Sequence, residues 1–181
     1  DDVKIRFNLK KIYVVGMSNG GKMAHAIACE FSKDIVGVIN VVGSPQNGLA
    51  CEPKTPINYI IYAGANDQVV PPFNVVSFDR YFYTPVTTLI NKWTNSFNCK
   101  KKEFITNIEF DSINEQIYSG CDGGVRIVSL LNTEQGHSWP GTKEYAGFCR
   151  TKYQSEIDLD PCLNSVNEWG NDFLLQRLFN L

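Results

Sequence analysis

The sequence lacks an excess of positive charge and lacks any long apolar run. Its 17 Lys and Arg stand against 19 Asp and Glu, which gives a net charge of −2 at pH 7. A chain with this balance offers no basic surface of the kind that binds nucleic acid or an anionic membrane. No apolar stretch reaches the length that a bilayer-spanning helix needs. We therefore expect neither nucleic acid nor a membrane among its partners.

Histidine is also scarce, and the cysteines show no metal-binding spacing. Only 2 histidines occur in the 181 residues, far apart, and no Cys-x-x-Cys pair is present. Structural zinc sites need several such ligands at close spacing, so a zinc site is not predicted. We expect neither a metal ion nor an organic cofactor.

Cysteine, by contrast, is abundant for a chain of this size. The six cysteines are Cys29, Cys51, Cys99, Cys121, Cys149 and Cys162. An even number at wide spacing favours disulfides and an oxidising compartment. The simplest of many possible connectivities is sequential, with the pairs Cys29–Cys51, Cys99–Cys121 and Cys149–Cys162. The alternative is that the cysteines are buried free thiols.

Apolar periodicity predicts one α/β domain over residues 1–181, with a mainly parallel sheet flanked by helices. The predicted main strands are residues 12–15, 35–42, 57–62 and 125–130, and the predicted helices are residues 21–31, 87–97 and 166–179. Shorter segments are typical of two small strands or a hairpin (104–110 and 115–118) and of a loop (145–160). In such sheets, active-site and ligand-binding residues lie in the loops that follow the carboxyl ends of the strands.

A short stretch around Ser18 is the centre of this prediction. The strand at residues 12–15 runs into Gly16-Met17-Ser18-Asn19-Gly20, and helical spacing follows. A Gly-x-Ser-x-Gly turn between a strand and a helix is typical of a nucleophile elbow, which exposes the serine hydroxyl. We expect Gly16 and Gly20 to be small because strand and helix crowd each other there. The bare pattern also occurs in ordinary glycine-rich turns, so the flanking strand and helix carry the prediction.

His137 is the candidate base for this serine. A serine hydroxyl needs a base within hydrogen-bond reach, and the base needs an orienting acid. His137 follows the last predicted strand in a Gly-His-Ser-Trp-Pro loop. The alternative for His137 is a structural histidine of a surface loop. The other histidine, His25, lies on the helix behind Ser18 and is predicted to be a surface or packing residue.

Asp67 is the candidate acid, because it follows the third predicted strand and lies between Ser18 and His137 in the chain. The order Ser, Asp, His is that of α/β-hydrolases. Asp122 precedes the fourth strand, at the wrong end of the sheet, whereas Glu134 lies close to His137 and stays open as an alternative. An Asn-Asp pair is also compatible with a purely turn-forming role for Asp67.

The backbone N–H of Asn19, the residue after the candidate nucleophile, is expected to serve an oxyanion hole. The second N–H donor of an oxyanion hole normally comes from a loop that follows an earlier strand. No such strand precedes residue 12. We therefore expect the chain to be the C-terminal part of a longer hydrolase, with its first strand at a sheet edge. Trp139 and the aromatic run 78–83 are candidates for a substrate pocket or, alternatively, for the core.

Three ordered blocks of the sequence have a familiar pattern. They are residues 16–21 (Gly-Met-Ser-Asn-Gly-Gly), 64–71 (Gly-Ala-Asn-Asp-Gln-Val-Val-Pro) and 136–141 (Gly-His-Ser-Trp-Pro-Gly). Together they resemble the secreted feruloyl esterase and polyhydroxybutyrate depolymerase family of α/β-hydrolases. The resemblance implies an α/β-hydrolase fold with Ser18 as nucleophile, Asp67 as acid and His137 as base.

The same resemblance implies a secreted enzyme that cleaves carboxylic esters, such as feruloylated or acetylated polysaccharide or a polyester. Two other functions stay open. One is a catalytically inactive domain that keeps the fold as a binding or structural module. The other is a peptidase or acyltransferase with the same Ser-His-Asp triad, because the sequence has no charged specificity pocket that would decide between them.

Overall fold

The computed structural model describes residues 11–106, 112–141 and 169–179. The helices and strands in these ranges are, in chain order, β1 (Tyr13–Met17), α1 (Asn19–Glu30), β2 (Gly37–Val41), β3 (Asn58–Gly64), α2 (Val86–Ser96), β4 (Lys101–Thr106), β5 (Ile113–Ser119), β6 (Ile127–Asn132) and α3 (Gly170–Phe179). A short 3-10 turn at Asp122–Gly124 precedes β6. None of the helices described is long and apolar enough to cross a membrane.

All six strands form one mixed sheet in the order β1-β2-β3-β6-β5-β4. The strands β1, β2, β3 and β6 run parallel to one another, and β5 runs antiparallel to both of its neighbours. The predicted α/β architecture is therefore confirmed, including the hairpin formed by the two shorter strands. Because the four main strands are parallel, the loops that follow β1, β3 and β6 leave the same edge of the sheet.

Predicted and observed boundaries differ slightly at most elements, as is usual for helix and strand ends. The helix α1 begins at Asn19 rather than near residue 21, because Ser18 leads straight into the first helical turn. The predicted strand 104–110 is found at Lys101–Thr106, and residues 107–111 lie outside the described residues. The predicted loop 145–160 and the first residues of the predicted helix 166–179 also lie outside them.

Helices cover both faces of the sheet because the central strands are apolar on both faces. Tyr59 and Ile61 of β3 belong to one core cluster with α1 and α2, and Ile60 and Tyr62 belong to another with α3. Every residue of β2 is buried. Trp93 of α2 is fully buried, with its ring centroid 4.0 Å from that of Tyr59. Side chains alternate along a strand, so two apolar faces require a helical layer on each side.

The strand β1 lies at the edge of the described sheet, as the sequence predicts. Within that sheet it pairs with β2 alone, and Val15 is 46% exposed. The opposite edge is β4, where the side chains of Lys101 and Lys102 are exposed. Lysines on an edge strand discourage pairing with the edge of another sheet.

Two of the three predicted disulfides are present in the described residues. Cys29–Cys51 ties the end of α1 to the loop after β2, and Cys99–Cys121 ties the end of α2 to the segment before β6. Cys149 and Cys162 lie outside the described residues. Disulfides of this kind are typical of proteins from oxidising compartments.

His25, on α1, is the centre of a buried polar network between this helix and the sheet. The residue is 1% exposed, and its Nε2 accepts the N–H of Cys51 at 3.2 Å. Its Nδ1 lies 3.4 Å from the hydroxyl of Tyr59, which in turn accepts a hydrogen bond from Asn40 Nδ2 at 3.0 Å. Of the two roles predicted for His25, the packing role is confirmed.

These contacts hold the His25 ring in its neutral form. Since Nε2 accepts a hydrogen bond, the single ring proton lies on Nδ1. A second proton on Nε2 would face the Cys51 N–H, donor against donor. Burial lowers the pKa of His25 to about 4, and the charge of Lys92 acts in the same direction.

We expect the stability of the fold to depend on this pKa. The folded-state pKa lies below the ordinary value of 6.5, so the unfolded chain takes up the proton first as the pH falls. Between about pH 7 and about pH 5 the free energy of unfolding should therefore fall by about 2 kcal/mol from His25 alone. Urea unfolding of the protein and of His25→Phe at both pH values measures this. A variant that keeps the full pH dependence would contradict the assignment.

Candidate active site

Ser18 occupies a sharp turn between β1 and α1. Its φ of 55° and ψ of −117° form a combination that non-glycine residues rarely adopt. Its N–H donates to the carbonyl of Val41 at 2.9 Å, and its own carbonyl accepts the N–H of Lys22 at 3.0 Å. Val42, which directly follows β2, also has a positive φ of 42°. Ser18 and Val42 thus give two strained backbone positions at the carboxyl edge of the sheet.

The glycines around Ser18 have different roles. A Cβ on Gly16 would collide with the carbonyl group of Gly20. Gly20 itself has nothing within 4 Å of its Cβ position, so the prediction that it is small for lack of space is wrong. Gly21 takes that role, because a Cβ there would lie 2.9 Å from the Cα of Gly43. The crowding arises because α1 packs across β2 as well as β1.

Asp67 lies just past the end of β3 and is only 4% exposed. Its Oδ1 accepts the N–H groups of Val69 and Val70, each at 2.8 Å. Its Oδ2 lies 2.8 Å from Nδ1 of His137. The turn-forming role and the acid role, which the sequence leaves as alternatives, are therefore combined in one side chain. One oxygen shapes the loop, and the other contacts the imidazole.

The loop after β6 carries His137 and is pressed against the end of β3. Asn132 Oδ1 accepts the N–H of Gln135 at 3.1 Å, and the carbonyl of Gln135 accepts the N–H of Asn66 at 3.0 Å. Gly64, the last residue of β3, leaves room for this contact, since a Cβ there would collide with the carbonyl of Gln135. Backbone contact between the two loops therefore determines the position of the imidazole.

Ser18, His137 and Asp67 form one hydrogen-bonded line. Ser18 Oγ lies 2.8 Å from His137 Nε2, and His137 Nδ1 lies 2.8 Å from Asp67 Oδ2. With the ring proton on Nδ1 donated to the carboxylate, Nε2 is free to accept the serine O–H. The Asp67 side chain is 1% exposed and that of His137 is 16% exposed. The carboxylate is thus shielded from water while the imidazole reaches the surface.

The two competing acids lie elsewhere. Asp122 precedes β6, at the amino end of that strand, and its Oδ2 accepts a hydrogen bond from Asn98 Nδ2 at 2.6 Å. The side chain of Glu134 is exposed. Because Nδ1 of His137 faces Asp67 Oδ2, the geometry favours Asp67 as the orienting acid.

Asn19 is the first residue of α1, so its N–H has no acceptor within the helix. It directly follows Ser18 and lies at the positive end of the helix dipole, where negative charge is stabilised. The predicted position of an oxyanion donor is therefore available next to the serine. The geometry leaves this role of Asn19 as a prediction.

Trp139 is tied to α3. Its Nε1 donates to Asn171 Oδ1 at 2.9 Å, and its ring packs against the core cluster that α3 covers. These contacts anchor the loop that carries His137. A substrate-binding role for Trp139 stays a prediction, and the core alternative is the one that these contacts favour.

A groove of about 350 Å³ begins at Asn19 and runs between α1 and the loop after β2. Its lining residues are Asn19, Lys22, His25, Ala26, Pro45, Gln46 and Leu49. Of the predicted aromatic run 78–83, Tyr83 is buried, with its hydroxyl 3.4 Å from the Nζ of Lys22. Phe78, by contrast, is 83% exposed. None of residues 78–83 lines this groove, and a pocket role for the aromatic run stays a prediction.

Lys22 is the residue near the serine that the sequence analysis missed. Its Nζ lies 3.4 Å from Asn19 Oδ1 and 4.4 Å from the centroid of the Tyr83 ring. Partial burial lowers the pKa of Lys22, against smaller opposing effects of the Asp79 and Asp67 carboxylates. The sequence did contain a sign that Lys22 is unusual. A lysine in the first turn of a helix opposes the helix dipole.

Substitution of the two elbow glycines should separate their roles. Gly16→Ala should lower the free energy of unfolding by about 3 kcal/mol, because the new Cβ meets backbone atoms that cannot move independently. Gly20→Ala, in open space within α1, should raise it by about 0.5 kcal/mol, since alanine favours the helix. Urea unfolding followed by circular dichroism measures both. Equal losses in the two variants would contradict this assignment.

Comparison with known proteins leaves the function to be inferred from the site itself. No protein-family model matches this chain, and no curated protein matches it. The function is therefore inferred from the geometry of the described residues: a strained serine, an imidazole paired with a shielded carboxylate, and a helix N-terminus beside them.

Proposed function

We propose that this protein is a serine hydrolase of the α/β-hydrolase type that cleaves carboxylic esters through an acyl-enzyme. The observation that carries the proposal is the line of two 2.8 Å contacts from Ser18 Oγ through His137 to the Asp67 carboxylate. A nucleophile, a base and a buried acid in this order are what nucleophilic acyl transfer requires. The parallel strands β1, β2, β3 and β6, with the three loops at their carboxyl edge, support the hydrolase fold.

In the first half-reaction, Ser18 Oγ attacks the ester carbonyl carbon while His137 Nε2 takes its proton. The Asp67 carboxylate stabilises the imidazolium that forms. Negative charge develops on the carbonyl oxygen, and the N–H of Asn19 is the donor beside it. The bond to the alcohol oxygen then breaks, and His137 gives its proton to the departing alkoxide. The acyl group stays on Ser18.

In the second half-reaction, water takes the place of the alcohol. His137 Nε2 accepts a proton from this water as its oxygen adds to the acyl carbon. The bond between the acyl carbon and Ser18 Oγ then breaks, and the proton on His137 returns to the serine oxygen. The carboxylic acid is released, and the cycle involves no net oxidation or reduction.

The resemblance of the three sequence blocks narrows the proposed substrates. They are feruloyl or acetyl esters of polysaccharides, or polyesters of the polyhydroxyalkanoate type. The disulfides Cys29–Cys51 and Cys99–Cys121 support a secreted enzyme.

Ser18→Ala should abolish hydrolysis of para-nitrophenyl acetate and labelling by a fluorophosphonate, because both reactions need a bond to the serine oxygen. Ser96→Ala, which alters an exposed serine of α2, is the matched control and should keep both activities. Circular dichroism verifies that each variant is folded. Turnover retained in Ser18→Ala would rule out the acyl-enzyme. A wild-type protein that the probe does not label would favour a binding or structural module.

Asp67→Asn should lower kcat for the same ester by about a thousandfold to ten thousandfold. The amide oxygen can still accept the N–H groups of Val69 and Val70, but the amide nitrogen would face His137 Nδ1 as a donor. The ring proton would then move to Nε2, which could no longer accept the serine proton. Glu134→Gln is the matched control and should leave kcat near the wild-type value. The opposite pattern in the two variants would assign the orienting role to Glu134.

A further inference from the structure

Lys22 places a positive charge beside the serine and directs it at the groove. It lies one helical turn after Ser18, and its Nζ contacts Asn19 Oδ1 and the Tyr83 hydroxyl, each at 3.4 Å. The same Nζ lies over the Tyr83 ring. An ammonium group has three N–H donors, and both of these hydrogen bonds are long. The lysine is thus positioned by its neighbours without being strongly bound by them.

This cation has no carboxylate partner in the described parts of the chain. Among residues 11–106, 112–141 and 169–179, the ion pairs are formed by other residues. Asp67 influences Lys22 from a distance, but both of its oxygens are engaged, one by backbone N–H groups and one by His137. Asp79, the other acid that influences Lys22, is exposed and accepts a hydrogen bond from Ser77.

The charge of Lys22 also interacts unfavourably with the dipole of α1. It lies in the first turn of Asn19–Glu30, where no acidic side chain offsets its charge. Positive charge at this end opposes the helix dipole. Partial burial lowers the pKa of the ammonium group and so adds to this unfavourable setting. An anion in the groove would be attracted by both the lysine and the helix N-terminus.

We propose that the groove binds a carboxylate carried by the substrate ester, held by the ammonium group of Lys22, which lines the groove. The inference rests on the proposed esterase function and names its substrate class: esters in which the acid or the alcohol portion bears a second, ionised carboxyl group. The groove starts at Asn19, directly after the nucleophile, and its volume of about 350 Å³ accommodates a small acyl or alcohol group.

Two pairs of esters test the inference and identify the side that carries the anion. In the first pair, para-nitrophenyl hemisuccinate has a carboxylate on the acid portion, and para-nitrophenyl pentanoate is its neutral counterpart. In the second pair, para-acetoxybenzoate has a carboxylate on the alcohol portion, and para-acetoxybenzamide is neutral. Initial rates at about pH 7, where the carboxylates are ionised, give kcat and KM for each ester.

We expect kcat/KM for the anionic member of one pair to exceed that of the neutral member by about tenfold. Lys22→Met should remove this preference, chiefly through KM, because the carboxylate lies away from the reacting atoms. Lys22→Arg keeps the positive charge and should keep most of the preference. Lys33→Met removes the same charge from an exposed position just beyond α1 and should leave the preference unchanged. Raising the salt concentration should weaken the preference in the wild-type protein.

The outcomes separate the two proposals. If the wild-type protein hydrolyses neutral esters but prefers neither anionic ester, the groove does not recognise a carboxylate, and the esterase proposal stands alone. The same conclusion follows if Lys22→Met keeps the preference. If none of the four esters is hydrolysed and Ser18 is not labelled by a fluorophosphonate, both proposals fail.

Discussion

The site depends on one steric constraint, which is that β1 and α1 meet at Ser18 without a spacer. Gly16 has no side chain, so the carbonyl of Gly20 can approach the strand closely. The turn then closes within a single residue, and the backbone of Ser18 is held at a φ of 55° by its hydrogen bond to Val41. The strained turn presents the hydroxyl at the sheet edge, beside the first amides of α1, which have no acceptor within the helix.

Parallel strand pairing brings the other two side chains to this hydroxyl. The strands β1, β2, β3 and β6 end at one edge, so loops that are far apart in the chain become neighbours. Two interactions then hold the loop that carries His137. The Tyr62 hydroxyl donates to Gln135 Oε1, and the lack of a side chain at Gly64 leaves room for the backbone of this loop. The antiparallel strands β4 and β5 extend the sheet on the side away from Ser18. The alternation of apolar strands and helices was enough to predict this architecture, because side-chain period is a local property of the sequence.

The two histidines show how environment decides the role of one residue type. His25 is almost fully buried, accepts a backbone N–H, and has its pKa lowered to about 4 by desolvation. His137 lies at the surface end of a carboxylate contact, with its second nitrogen 2.8 Å from a hydroxyl. The first arrangement disfavours a second proton on the His25 ring, whereas the second places the His137 ring between a carboxylate and a hydroxyl. Lys22 shows the same principle for a cation, because the partners that the described residues give it are an amide oxygen, a hydroxyl and an aromatic ring.

The sequence by itself determined the strand–turn–helix around Ser18 and the order of the three loops, since both follow from local pattern. Sequential cysteine pairing was only the simplest of many connectivities, and the structure decided the pairs Cys29–Cys51 and Cys99–Cys121. Tertiary structure decided which acid reaches His137, that Gly21 rather than Gly20 lies at the crowded contact, and that Lys22 meets Tyr83. The physical reason is that these choices depend on how α1 and the loops pack across the sheet. Such packing joins residues distant in the chain, and no local period encodes the distance between them.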